Sequence, residues 1–148
     1  MITHKYGKGS RRCLKTCHPI LQEIAKEALR ISPYDITIIY GLRGEEEQTA
    51  LYMLGKSKLQ YPLSRHNRTQ DENVMHQWEV SDALDFAPYK DGIDWDDGLA
   101  FAVVAGCFMG AAENLGYRLR WGGDWDMDGQ TTDQTFMDLG HLEIYWRI

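Results

Sequence analysis

The chain has 148 residues, a formal net charge of −6 and a 43% hydrophobic share. That length and apolar content suit a single globular domain, residues 1–148, with a real core. An acidic balance that no basic cluster offsets disfavours binding to nucleic acid or to an anionic membrane, and three cysteines make too sparse and odd a set for a disulfide framework.

Residues 1–17 read as a polar, basic N-terminal arm. No apolar stretch follows them, so they do not form a secretory signal. Cys13, Cys17 and His18 read as ordinary side chains beside a helix start, not as a metal cluster. Pro19 suits a first helical turn, and Ile20, Leu21, Ile24, Ala25 and Ala28 then share one face. Ser32-Pro33 ends that helix. "DITIIY" (35–40) is β-branched and predicts a strand, and a second helix is expected over about 45–54.

Residues 55–80 are polar and irregular. "DALDFAPY" (82–89) predicts a short strand, and the segment from Asp94 to Gly116 a long, mostly buried helix. Its apolar run Leu99–Ala112 is too short and too glycine-rich to span a bilayer. "YRLRW" (117–121) is a third strand, and a glycine- and aspartate-rich loop leads to the last one. There Leu142, Ile144 and Trp146 alternate with His141, Glu143 and Tyr145, the pattern of a half-buried strand. Without regular βαβ alternation, these elements predict an α+β fold: a small, mainly antiparallel sheet with helices packed against it.

Five histidines are present. His4 lies in the arm and His18 at a helix start, whereas His66, His76 and His141 sit in loops or at strand ends. Asp85, flanked by Ala83 and Phe86-Ala87 inside a strand, is a semi-buried carboxylate that needs a partner, and a cation would serve. Two histidines and one carboxylate are a common catalytic zinc set that leaves a fourth position for water. Asp138 would then be placed to take that water's proton. The same residues also read as hydrogen-bonded surface side chains, because a lone histidine is weak evidence.

"SRH" (64–66), "SDALD" (81–85) and "DLGHLE" (138–143), in that order, resemble the zinc peptidases that cut cell-wall peptides containing D-amino acids. That group includes D-alanyl-D-alanine carboxypeptidases and dipeptidases and the L-alanyl-D-glutamate endopeptidases used as phage endolysins. "YGLRGEEEQTALY" (40–52) is similar to the family's Gly-x-Arg-Ser-x-x-x-Gln segment, with Arg43 and Gln48 in register. "GKSK" (55–58) and "RWGGDW" (120–125) are similar to segments of the phage branch.

The resemblance implies one catalytic zinc ion held by His66, Asp85 and His141. It implies Asp138 as general base, and Arg43 as oxyanion stabiliser or two-pronged carboxylate donor. Ser64 and Gln48 would contact substrate or brace the site. The implied function is a zinc metallopeptidase, a peptidoglycan hydrolase of the L-alanyl-D-glutamate endolysin type. It would act on the peptidoglycan stem peptide as a monomer, and would be made in the host cytoplasm without an export signal before reaching the wall. A D-alanyl-D-alanine carboxypeptidase or dipeptidase, or a non-catalytic wall-binding module on the same fold, stays open as an alternative.

The chain departs from the family between His66 and Asp85, where residues 67–80 look like an insertion rooted beside the cleft, with His76 and Trp78 available to cover substrate. His76 also competes with His66 as first ligand, and His66 is preferred for the Ser and Asn around it. Gly140 stands where a proline is usual, which would loosen the approach to His141. Asp124, Asp126 and Asp128 occupy the first, third and fifth positions of a calcium loop, with Gly129 at the sixth but Thr135 where glutamate is expected.

Overall fold

The computed structural model describes residues 3–146. Its sheet has four strands: β1 (Asp35–Tyr40), β2 (Ala83–Tyr89), β3 (Leu119–Gly122) and β4 (Asp138–Ile144). They lie in the order β1-β2-β4-β3, and every neighbouring pair is antiparallel. The expected α+β fold is what forms.

Two helices cover one face of the sheet. α2 (Pro19–Ile31) buries Leu21, Ile24, Ala25, Ala28 and Leu29, the stripe its spacing predicts. α4 (Gly98–Asn114) is capped by the Asp97 carboxylate, which accepts from the Ala100 N–H at 3.1 Å. Its small residues let it lie close against α2 and the sheet, and Phe101, Val104 and Phe108 meet Leu84, Phe86, Leu142 and Ile144 in the core. Burial of these side chains drives the fold.

Two elements differ from the sequence reading. The N-terminal arm contains a helix, α1 (Lys8–Leu14), packed on β1. A helix this short is unstable alone. Tertiary bonds hold it: the Tyr6 hydroxyl donates to the Ala25 carbonyl at 2.7 Å, and Ser10 Oγ accepts from the Ile38 N–H at 3.0 Å. The charges of the arm conceal those anchors from a composition argument. The last strand is also buried on both faces, because His141 and Glu143 are covered on the side opposite Leu142 and Ile144.

The remaining helix, α3 (Glu45–Met53), follows β1 and lies beside the site. His18 caps α2 through Nδ1 and bonds Asp71 through Nε2 at 2.8 Å, so it tethers the 67–80 loop to the body. Cys13 and Cys17 are free thiols, and burial raises the pKa of both.

Candidate active site

β2 and β4 place two of the site's side chains directly opposite each other. Asp85 pairs with His141 in register, and Arg120 on β3 pairs with Glu143 on β4. Strand alternation aims these four residues at the sheet face away from α4. His66 comes from a tight turn after α3. There Ser64 Oγ accepts from the His66 N–H at 3.2 Å and the Asn67 carboxamide oxygen accepts from the Ser64 N–H at 3.1 Å. The Arg43 N–H donates to the His66 carbonyl at 2.8 Å, which ties this turn to the end of β1.

Three atoms then converge. His66 Nε2 lies 3.2 Å from Asp85 Oδ1 and 3.2 Å from His141 Nδ1, and the last two are 3.3 Å apart. The outer atoms of each group are engaged by acceptors or donors that define its state. His66 Nδ1 lies 2.8 Å from the Gly41 carbonyl, which can only accept, so Nδ1 carries the proton and Nε2 presents a lone pair. His141 Nε2 donates in the same way to Glu143 Oε1 at 2.9 Å, which leaves Nδ1 as the inward lone pair. Asp85 Oδ2 accepts from Arg43 Nη2.

With both rings neutral, three electron pairs face one another, an arrangement that calls for a cation. Zinc fits this donor set. An ion with bonds of about 2.0–2.1 Å in tetrahedral geometry spaces its ligands by roughly 3.3 Å. Histidine ligands backed by a carbonyl and by a carboxylate are the usual outer support of such a site.

Without an ion, the same cluster takes up a proton instead. Burial alone would raise the Asp85 carboxyl, but the His66 and His141 rings outweigh it and hold the group far below the usual carboxylate range. Burial opposes the charged form of His141 too, yet its bonds to Asp85 and Glu143 carry its pKa up to about 9. Glu143 is pushed up by burial and pulled further down by His141 and Arg120, so its pKa is low. Asp138 moves the other way. Burial and then repulsion from Asp85 raise it, against the pull of His141, His66 and Arg43.

The triad opens on a cleft of about 570 Å³. Arg43, Ser64, Arg65, Arg120, Trp125 and Asp138 are among its walls. A second, more apolar cleft lies on the other side of Asp138, lined by Tyr40, Trp95, Phe101, Met137 and Leu139 among others. Arg43, Lys56 and Asp138 border both.

The expected site residues do not all share one placement. His66, Asp85 and His141 form the cluster, with Asp138 and Arg43 beside it. His76 is exposed, and none of residues 67–80 lines either cleft; the loop folds towards His18 and Asp82 instead. Gln48 is fully buried and gives its amide to Ser57 Oγ and the Leu59 carbonyl at 2.9 and 2.7 Å. Ser64 shapes the His66 turn at the cleft edge. Trp121 fills core, whereas Trp125 stands half-buried, 5.2 Å from the His141 ring.

Gly140 is no loose joint. A Cβ there would meet the Phe86 carbonyl at 2.6 Å, so the absent side chain lets β4 approach β2 closely.

The sequence reading gave no role to Glu143 or to the arginines that hold it. Arg120 Nη2 reaches Glu143 Oε2 at 2.9 Å and Arg65 Nε reaches the same oxygen at 3.5 Å. Its place two residues after His141 on the same strand face was the available signal. Apart from this cluster, the carboxylates of Asp124, Asp126 and Asp128 also gather within 4.8 Å of one another on an exposed loop.

A model of the phage L-alanyl-D-glutamate peptidase family matches residues 2–145. The L-alanyl-D-glutamate peptidase of Escherichia phage T5 is 37% identical over 147 residues, which is 97% of this chain and 99% of that one. The crystal structure of the Serratia marcescens L-Ala D-Glu endopeptidase ChiX has the same fold, with a TM-score of 0.73 at 24% identity over 96% of this chain and 91% of that one. This chain belongs to the phage L-alanyl-D-glutamate peptidase family.

Proposed function

We propose that this protein is a zinc-dependent endopeptidase that hydrolyses the L-alanyl-D-glutamate bond of the peptidoglycan stem, in the manner of a phage endolysin. Family membership supports the bond, and one observation carries the chemistry: three inward lone pairs, 3.2–3.3 Å apart, at the junction of two clefts. His66, Asp85 and His141 would hold the ion. Zinc, when bound, supplies a Lewis acid that brings the pKa of water towards about 7 and polarises a carbonyl.

The protein's own groups do the rest. Asp138, its pKa raised by burial and by Asp85, takes a proton from the attacking water and delivers it to the leaving amine. Arg43 fixes the orientation of Asp85 and presents positive charge where the oxyanion develops. Glu143 keeps His141 in the tautomer whose Nδ1 faces inward. Trp125 shields one side of that ring from solvent. Gln48 braces the 57–59 segment from beneath and does not touch substrate.

The test is digestion of purified muropeptides with mass spectrometry of the new termini, alongside zinc stoichiometry by atomic absorption. New N-terminal D-glutamate and one zinc per chain are expected. Free D-alanine as sole product would make the enzyme a carboxypeptidase, and full lysis by metal-free protein would end the zinc reading.

The exposed loop offers calcium a second site at Asp124, Asp126 and Asp128. The three carboxylates converge, and among the described residues no lysine, arginine or histidine pairs with them. Calorimetric titration with calcium should give heat in the parent and none in Asp126→Ala. Flat traces in both would remove this site.

A further inference from the structure

The two clefts that meet at Asp138 differ in charge. Arg43 and Lys56 border both, but Lys58, Arg65 and Arg120 line only one, and Tyr40, Trp95, Phe101 and Met137 only the other. The arginines of the basic cleft are already committed, Arg43 to Asp85 and Arg65 and Arg120 to Glu143. Even so, Arg43 Nε, Arg65 Nη1 and Arg120 Nε are buried without a partner among the described residues. The two lysines have no carboxylate within ion-pair distance there.

Nor are these lysines on a random stretch of surface. Two residues past α3, Gly55 at φ 74° is a left-handed residue that turns the chain back. The Lys56 and Ser57 N–H groups then donate to the Leu51 carbonyl at 2.9 and 3.2 Å, and the buried Gln48 amide clamps Ser57 and Leu59. Lys58 Nζ sits 5.3 Å over the Phe136 ring. Four carboxylates line the same cleft: Glu143 is paired with Arg65 and Arg120, Asp126 and Asp133 are each approached by the Gln134 amide, and Asp138 stands where the two clefts meet.

The proposed substrate has the same asymmetry. On the acyl side of an alanyl–glutamyl bond lie methyl groups and neutral amides. On the amine side lie the free α-carboxylate of the glutamate and whatever acid the third residue carries. Charge complementarity therefore runs the peptide in one direction, with its acyl half in the apolar cleft and its amine half in the basic one.

We propose, resting on the function above, that Lys56 and Lys58 read a second carboxylate beyond the glutamate. The enzyme then selects stems whose third residue is a diamino diacid over stems whose third residue ends in an amine or an amide.

The test uses two synthetic substrates, L-alanyl-γ-D-glutamyl-meso-diaminopimelate and the same peptide with L-lysine in third place. The parent should favour the diacid by roughly tenfold or more in kcat/KM, the range of one well-placed charge contact. Lys56→Met/Lys58→Met should lose most of that preference through a higher KM for the diacid. The control Lys15→Met/Lys26→Met, which removes two exposed lysines that line neither cleft, should keep it. Circular dichroism checks that each variant folds. Equal cleavage of both peptides by the parent overturns the inference, and so does a preference that survives in Lys56→Met/Lys58→Met. If the parent cuts neither peptide between alanine and glutamate, the proposed function itself fails, which is a separate result.

Discussion

Asp138 and His141 are three positions apart and titrate for opposite reasons. As the proposed base, Asp138 works deprotonated, and its pKa lies above the ordinary carboxylate value. Activity should therefore fall on acidification earlier than an exposed aspartate would allow. Asp138→Asn should lower kcat by about 10²–10⁴, the usual contribution of a general base, while zinc content by atomic absorption stays at the parent level. A proportional loss of zinc would make Asp138 a ligand instead.

As a proposed zinc ligand, His141 must be neutral to bind the ion, yet without it the bonds to Asp85 and Glu143 raise its pKa to about 9. Protons and zinc therefore compete below that pH. Apparent zinc affinity should climb with pH through the neutral range, by up to about tenfold per unit, and flatten above about 9. Competition against a chelator at several pH values measures this, and a flat profile would contradict the assignment. The motifs around His66, Asp85 and His141 were readable because each pairs a proposed ligand with a recognisable local context. Glu143 was not, because alternation assigns a face to a side chain but not a partner on it. Gln48 was readable as a position only, since its depth depends on how the 55–59 turn folds over α3.

The strands and long helices follow the periodicity of the sequence closely, and their ends shift by only a few positions. α4 starts at Gly98, later than expected, because Asp97 caps it there. α1 escaped notice because its stabilising contacts are to distant residues such as Ala25 and Ile38. Gly140 shows how a sequence comparison can mislead about an element. Glycine in place of proline suggests slack, but the Phe86 carbonyl leaves no room for a side chain. Gly140→Ala should destabilise the protein by about 1–3 kcal/mol, as overpacking does. Urea denaturation would show it as a lower midpoint, and a more stable variant would mean that the strand backbone yields easily.

For the chain as a unit, the overall charge of −6 hides the feature that matters most. Arg43, the Lys56–Lys58 turn, Arg65 and Arg120 come from separate segments and meet only when the chain folds. No count along the sequence could have found them as a group. The proposed metal likewise joins distant parts, linking the turn that carries His66 to the sheet that carries Asp85 and His141. Chelation should therefore lower the melting temperature. An ion at about 1,000 times its dissociation constant adds roughly 4 kcal/mol, and for a domain of this size that is on the order of 10 °C. Differential scanning calorimetry with and without chelator reads the difference, and unchanged transitions would mean that the ion does not tie these parts together.

Asp85 and His141 face each other across one strand boundary. If β4 slid by a single position, Gly140 or Leu142 would stand opposite the carboxylate, and no imidazole would be there to meet it. A molecule assembled out of step could still be compact and yet hold no ion. On the proposed zinc site, metal uptake would report strand pairing, and the fraction of freshly folded chains that load zinc should count those whose sheet has closed correctly.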